Sequence, residues 1–155
     1  MNNKAKNIAN ILLYLILFSF LFFGMWEWMQ SPFYIDISED FNTIVWFRIH
    51  CTFEDVFTLL LIIGVLCIFK RKISWIYRPR KIDYILITIM GVFYTLISEY
   101  VNIHVSHSWG YSKWMPLIPW LDVGIVPLLQ WLILPSVILV ITKDHLKAIR
   151  KKDQH

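Results

Sequence analysis

Apolar residues in this chain gather into four runs. A bilayer core of about 30 Å is crossed by a helix of about 20 apolar residues, and each run reaches that length. The first extends from about Ile8 to Met29 and is interrupted only by Asn10, Ser19, Gly24 and Glu27. The second covers about His50 to Phe69, with its polar residues crowded into the first turn and a half. The third runs from about Tyr84 to Val101, after the basic stretch RPRKID. The fourth spans about Val123 to Ile141 and contains Gln130 and Pro135. The expected fold class is all-α, a four-transmembrane-helix bundle forming one integral membrane domain over residues 1–155.

Composition agrees with the pattern. Of 155 residues, 57% are hydrophobic and 17% charged, with mean hydropathy +0.56. A soluble domain carries about 25% charged residues, and a chain this apolar is not intrinsically disordered. The first run exceeds the usual signal-peptide h-region and lacks a small-residue cleavage site, so it reads as a retained anchor. Cys51 and Cys67 stand about 24 Å apart along one helix and cannot bridge each other.

The formal net charge of +4 and pI near 9.1 raise the question of nucleic acid. Where the bases sit answers it. Lys4 and Lys6 precede the first run; Lys70, Arg71, Lys72, Arg78, Arg80 and Lys81 fill the link between the second and third. Lys143, Lys147, Arg150, Lys151 and Lys152 follow the fourth, and only Arg48 and Lys113 fall on the opposite side. The positive-inside rule puts both termini and the middle link in the cytoplasm. The bases then face anionic lipid rather than a nucleic-acid groove. Of the eleven acids, only Asp83, Asp144 and Asp153 keep them company.

The other polar residues converge on the opposite, outer end. Glu27 and Gln30 close the first span, His50, Glu54 and Asp55 open the second, and Glu99 and Asn102 close the third. Gln130 and Trp131 sit about two turns into the fourth. A charge inside hydrocarbon costs roughly 2.5–3.5 kcal/mol on insertion scales, so such residues face a bundle interior or a wet cavity. Thr88, Gly91, Thr95, Glu99 and Asn102 recur at steps of three and four, drawing one small-and-polar stripe along a helix. Pro127 and Pro135 are expected to break or tilt the fourth helix around Gln130. The expectation is a polar pocket at the periplasmic side, rimmed by the aromatic, proline-rich connection that holds Trp109, Tyr111, Trp114 and Trp120.

That pocket defines the candidate residues. Glu99, Asp55 and Glu54 are candidates for general acid–base chemistry on a lipid-like or isoprenoid molecule, with His50 as relay. Glu27, Gln30, Asn102, Trp109, Tyr111, Gln130 and Trp131 are candidates for ligand binding. A weak metal set comprises His50, Glu54, His104 and His107, but no H-E-x-x-H box supports it. No cofactor is identified. The expected partners are the bilayer and a lipid-like ligand, with a second copy or a membrane complex as further options. A non-catalytic accessory subunit is the alternative reading, and a small dimeric transporter the third.

The segments WEWMQSPFY, CTFEDVF and WGYSKWMPLIPWLDVGIVPLLQWLILP together resemble a family of small bacterial multi-pass inner-membrane proteins with no assigned activity. The likeness rests on Trp26-Glu27, Gln30, Cys51, Asp55, Glu99, Trp109, Tyr111, Met115-Pro116, Pro127 and Gln130-Trp131. It implies a bacterial inner-membrane setting and no reaction. His104 and His107 fall outside its pattern. A fainter similarity of layout is to four-helix sterol-isomerase-like membrane domains.

Overall fold

The computed structural model describes residues 3–35 and 40–152; Asp153 and the side chains of Lys4 and Lys152 lie outside them. Four long helices, α1 (Asn3–Gln30), α2 (Phe41–Lys70), α3 (Lys81–Tyr100) and α4 (Ile125–Lys152), account for most of the chain. Each is long and apolar enough to cross a membrane. α1 and α2 run past the predicted limits at both ends, α3 at its start and α4 at its end, because hydropathy marks only the part of a helix that lipid must touch; α4 begins at Ile125, two residues later than its apolar run, because Val123 and Gly124 form a strand. The charged turns of α4 from Lys143 onward simply continue its backbone ladder.

The helices alternate in direction, so α1 packs against α2 and α4, and α3 against α4, while α2 and α3, the fourth neighbouring pair, meet less closely than these. Ile11, Leu15, Phe23, Leu59, Ile87, Ile138 and Leu139 fill the core between them. Outward faces carry Leu13, Phe57 and Phe93, each more than half exposed, which suits lipid contact. On α3 the buried residues are Asp83, Ile87, Gly91, Thr95 and Glu99, one stripe at a four-residue step. The absence of a side chain at Gly91 is required: a Cβ there would stand 2.1 Å from Trp131 Cε3. Trp131 therefore lies against the α3 backbone, and α3 and α4 approach closely as small residues allow.

Each end of the bundle has its own connections. At one end, Ser31–Phe33 forms a 3-10 turn and Tyr34–Ile35 a short strand, β1. A π-turn over Val101–Val105 extends α3, followed by strands β2 (Gly110–Tyr111), β3 (Leu117–Ile118) and β4 (Val123–Gly124). β1 pairs with β2 and β3 with β4, both antiparallel. At the other end, where α1 begins and α4 ends, the 3-10 segment Ile73–Tyr77 joins α2 to α3. We call these the acidic and the basic end.

The expected break in α4 does not occur. The helix is continuous through Pro135. Pro127 stands in the first turn, where an N–H has no intrahelical partner in any case.

Candidate functional site

At the acidic end α1, α2 and α3 each deliver a carboxylate to one cavity of about 60 Å³, lined by Glu27, Asp55 and Glu99 together with Arg48. Volume on this scale holds a few water-sized groups. The carboxylates are held by donors from every element around them.

Asp55 is held by α4. Gln130 Nε2 donates to its Oδ2 at 2.5 Å, and Trp131 Nε1 to its Oδ1 at 3.3 Å. Both donors are almost fully buried, at 2% and 1% exposure. Because Trp131 is fixed by Gly91, the position of its indole N–H is set by α3 packing. Glu27 accepts from Gln30 Nε2 at 2.8 Å, one turn on, and Gln30 in turn accepts from Trp26 Nε1 at 3.0 Å.

Glu99 is held by the short sheet. The β1–β2 register sets Tyr34 directly opposite Tyr111, and directly opposed residues project to the same face. Tyr34 OH donates to Glu99 Oε1 at 3.2 Å and Tyr111 OH to Oε2 at 2.5 Å. Gly124 N–H donates to the Tyr111 oxygen at 2.9 Å. A Cβ at Gly124 would stand 2.8 Å from Met115 Sδ and 3.2 Å from Tyr111 Cε1, so a side chain there would have to displace the end of Met115. Burial and the neighbouring Glu99 carboxylate push the Tyr34 hydroxyl well above its ordinary range, and the same causes raise Tyr111. Both phenols are consequently donors at physiological pH.

Arg48 is the cation of the cavity. It is 3% exposed, and its guanidinium carbon lies 5.8 Å from the centre of the Tyr34 ring. Glu27 feels its charge, and also that of Glu99. Three carboxyl groups against one guanidinium leave an excess of hydrogen-bond acceptors.

The predicted residues divide clearly. Glu27, Gln30, Asp55, Glu99, Trp109, Gln130 and Trp131 line the cavity, and Tyr111 reaches it through Glu99. Glu54 reaches only the rim. It pairs with His50 at 3.2 Å on the outer face of α2, with side chains 48% and 56% exposed. His50 is thus not positioned as a relay. Their four-residue spacing puts them on one face, but that face looks outward. Asn102 turns back to Ser98, donating to its carbonyl at 2.9 Å, and does not line the cavity. The weak metal set is dispersed as well: His104 packs on Tyr100, and His107 Nδ1 lies 3.0 Å from the Ile103 carbonyl. Among the described residues no group of three or more His, Cys, Asp or Glu could hold a metal ion.

Sequence reasoning missed Arg48 and Tyr34 as site residues. Arg48 had a legible signal, since Arg48, Thr52 and Asp55 recur at steps of four and three and share one helix face. Tyr34 had none, because its place depends on β1–β2 pairing between distant segments.

The aromatic residues of this end split into two groups. Tyr34, Trp109 and Phe47 pack edge to face over the cavity, with centroids 6.5 and 5.6 Å from Trp109. Trp28, Trp46, Trp114 and Trp120 are exposed, the last at 99%. Such exposure suits the headgroup level of a bilayer, which Trp favours.

Fold and site together define a multi-pass membrane protein with a walled polar cavity near one membrane face. No family model, curated protein or solved structure matches the chain.

Proposed function

We propose that this is a bacterial inner-membrane protein with cytoplasmic termini, whose periplasmic-side pocket binds the polar head of a lipid-like or isoprenoid molecule. The observation that carries this reading is the convergence of Glu27, Asp55 and Glu99, from three helices, on one small cavity with Arg48. The cavity suits a hydroxyl or amine group rather than a chain. An apolar groove of about 240 Å³, lined by Leu96, Ile97, Tyr100, Leu121 and Val123, flanks the same end and suits part of a tail. The one-sided distribution of Lys and Arg supports the orientation. Residue likeness to small bacterial inner-membrane proteins supports the setting.

A second reading, a non-catalytic accessory subunit, draws on a different observation. Both oxygens of Asp55 and both of Glu99 already accept a bond from the protein. Such a network closes the bundle without any ligand.

Native mass spectrometry of the full chain, released from its own membranes into nanodiscs, separates the two. Ligand binding predicts a discrete amphiphile on the wild type that is lost in Glu99→Gln and Asp55→Asn, while both variants keep their helical circular dichroism. A wild type without such an adduct, and variants that are merely less stable, would assign the network to assembly.

A further inference from the structure

The basic end holds a second site, built differently. Where α2, the Ile73–Tyr77 turn and the end of α4 meet, they enclose a chamber of about 660 Å³. Its walls include Lys72, Arg78, Arg80 and Arg150, and none of its lining residues is a carboxylate. Lys70 also lines it, but its charge is committed: Lys70 Nζ lies 2.5 Å from Asp83 Oδ1 and 4.8 Å from the centre of the Trp75 ring. Asp83 also accepts from Arg80 N–H at 2.8 Å, so it is already satisfied. Among the described residues no carboxylate lies within ion-pair distance of Arg78 or Arg150. The chamber therefore offers several unmatched cations, with the Ser74 and Tyr77 side chains beside them.

A second cavity continues from it. In the loose seam between α2 and α3, a groove of about 350 Å³ is lined by the apolar Val65, Leu66, Ile82, Leu86 and Met90 and, next to the chamber, by Asp83, whose carboxylate is paired with Lys70. The two cavities share Phe69, Lys70 and Arg80. A basic chamber and an apolar groove thus lie side by side along shared walls. An anionic phosphate head joined to an acyl chain has that sequence of chemistries. A soluble phosphate would use the chamber and leave the groove unused, and a zwitterionic lipid would bring a cation against the arginines. Basic pockets between membrane helices are a recurrent way of holding anionic head groups.

We infer that the seam between α2 and α3 is a binding site for one anionic glycerophospholipid, its phosphate on Arg78, Arg80 and Arg150 and an acyl chain along Leu86 and Met90. The occupant ties α4 to the α2–α3 link across the least packed side of the bundle. This site is separate from the acidic cavity and does not rest on its reading.

Native mass spectrometry of the full chain, delipidated in detergent and titrated with lipid, tests it. Wild type should retain one dioleoyl-phosphatidylglycerol at least tenfold more tightly than dioleoyl-phosphatidylcholine. Each base near the membrane surface contributes about fivefold, so R78Q/R150Q should lose about twenty-five-fold and with it most of the preference. Neither side chain makes a hydrogen bond or ion pair among the described residues, so the variant should fold. K147Q/K151Q removes the same formal charge from the end of α4 outside the chamber and should keep the preference. L86W, which fills the groove, should weaken dioleoyl-phosphatidylglycerol but not its short-chain dihexanoyl analogue. Equal retention of the two lipids by wild type would overturn the site. So would equal losses in the two double variants, which would mean diffuse attraction. Displacement by millimolar inorganic phosphate would reassign the chamber to a free anion.

Discussion

The two ends of the bundle handle ionisable groups in opposite ways. At the acidic end the ionisable groups face one another inside the helices; Asp55 and Glu99 are held by donors from other elements, and Glu27 by Gln30 of its own helix. Gln130 and Trp131 of α4 hold Asp55 of α2, and the β1–β2 tyrosines hold Glu99 of α3. At the basic end, among the described residues, only Lys70 and Asp83 form a buried pair, while Arg78, Arg80 and Arg150 line an open chamber. Location explains the contrast. Ionised groups a turn or two inside a span must be enclosed and partnered, whereas bases at the helix ends, beyond the apolar part of the spans, keep water and lipid phosphate within reach. One end is closed by its own hydrogen bonds; the other leaves room for something to complete it.

If that contrast is right, removing a carboxylate from the acidic network should do the most damage. Asp55→Ala leaves the buried amide of Gln130 and the buried indole N–H of Trp131 without an acceptor. An unsatisfied buried donor costs about 1–3 kcal/mol, so a loss of about 3 kcal/mol is expected in thermal unfolding of the detergent-solubilised protein. Asp55→Asn keeps one carbonyl acceptor and should lose about half as much. An Asp55→Ala protein as stable as wild type would mean that the network contributes nothing to closing the bundle.

At the basic end, Lys70→Met leaves Asp83, 1% exposed, without its ammonium partner. Breaking a fully buried pair costs 3–5 kcal/mol. Here the Arg80 N–H remains, and water lies close to the helix ends, so about 2 kcal/mol is expected. Measured in the same unfolding assay, a loss larger than that of Asp55→Ala would reverse the ranking of the two ends.

Much of this arrangement was legible in the sequence. Glu27, Asp55, Glu99 and Gln130 stand out because each interrupts an apolar run, and the Gly91–Thr95–Glu99 stripe gives the inward face of α3. Spacing shows which residues share a face, but which face turns inward depends on the neighbouring helices. For that reason His50 and Glu54, four apart like any inward pair, lie on the outer side of α2, while Arg48 lies with Asp55. Tyr34 depends on strand pairing across distant segments, for which a two-residue strand carries no periodic signal. The seam at the basic end was equally hidden: runs of bases reveal orientation, but not that a turn and two helices leave a chamber between them.

The smallest effect concerns a carboxylate at the acidic end that lies outside the cavity. Asp40 caps α2, with Oδ2 accepting from the Thr43 N–H and the Thr43 hydroxyl, each at 2.9 Å. It is fully exposed, so burial does not hold it. Those bonds favour the ionised form and set its carboxyl below the ordinary value of 3.8. A lowered folded value means that the cap's stabilisation is complete above 3.8 and is lost as pH falls through the lower folded value. The Thr43 amide resonance in NMR should therefore titrate with a midpoint below 3.8 in wild type. Asp40→Asn should remove that titration yet keep the helix start, since Asn caps as well as Asp. A wild-type midpoint at or above 3.8 would show that water on this carboxylate outweighs the Thr43 bonds. The distinction between exposed and enclosed acids at this end would then have to rest on Glu27, Asp55 and Glu99 alone.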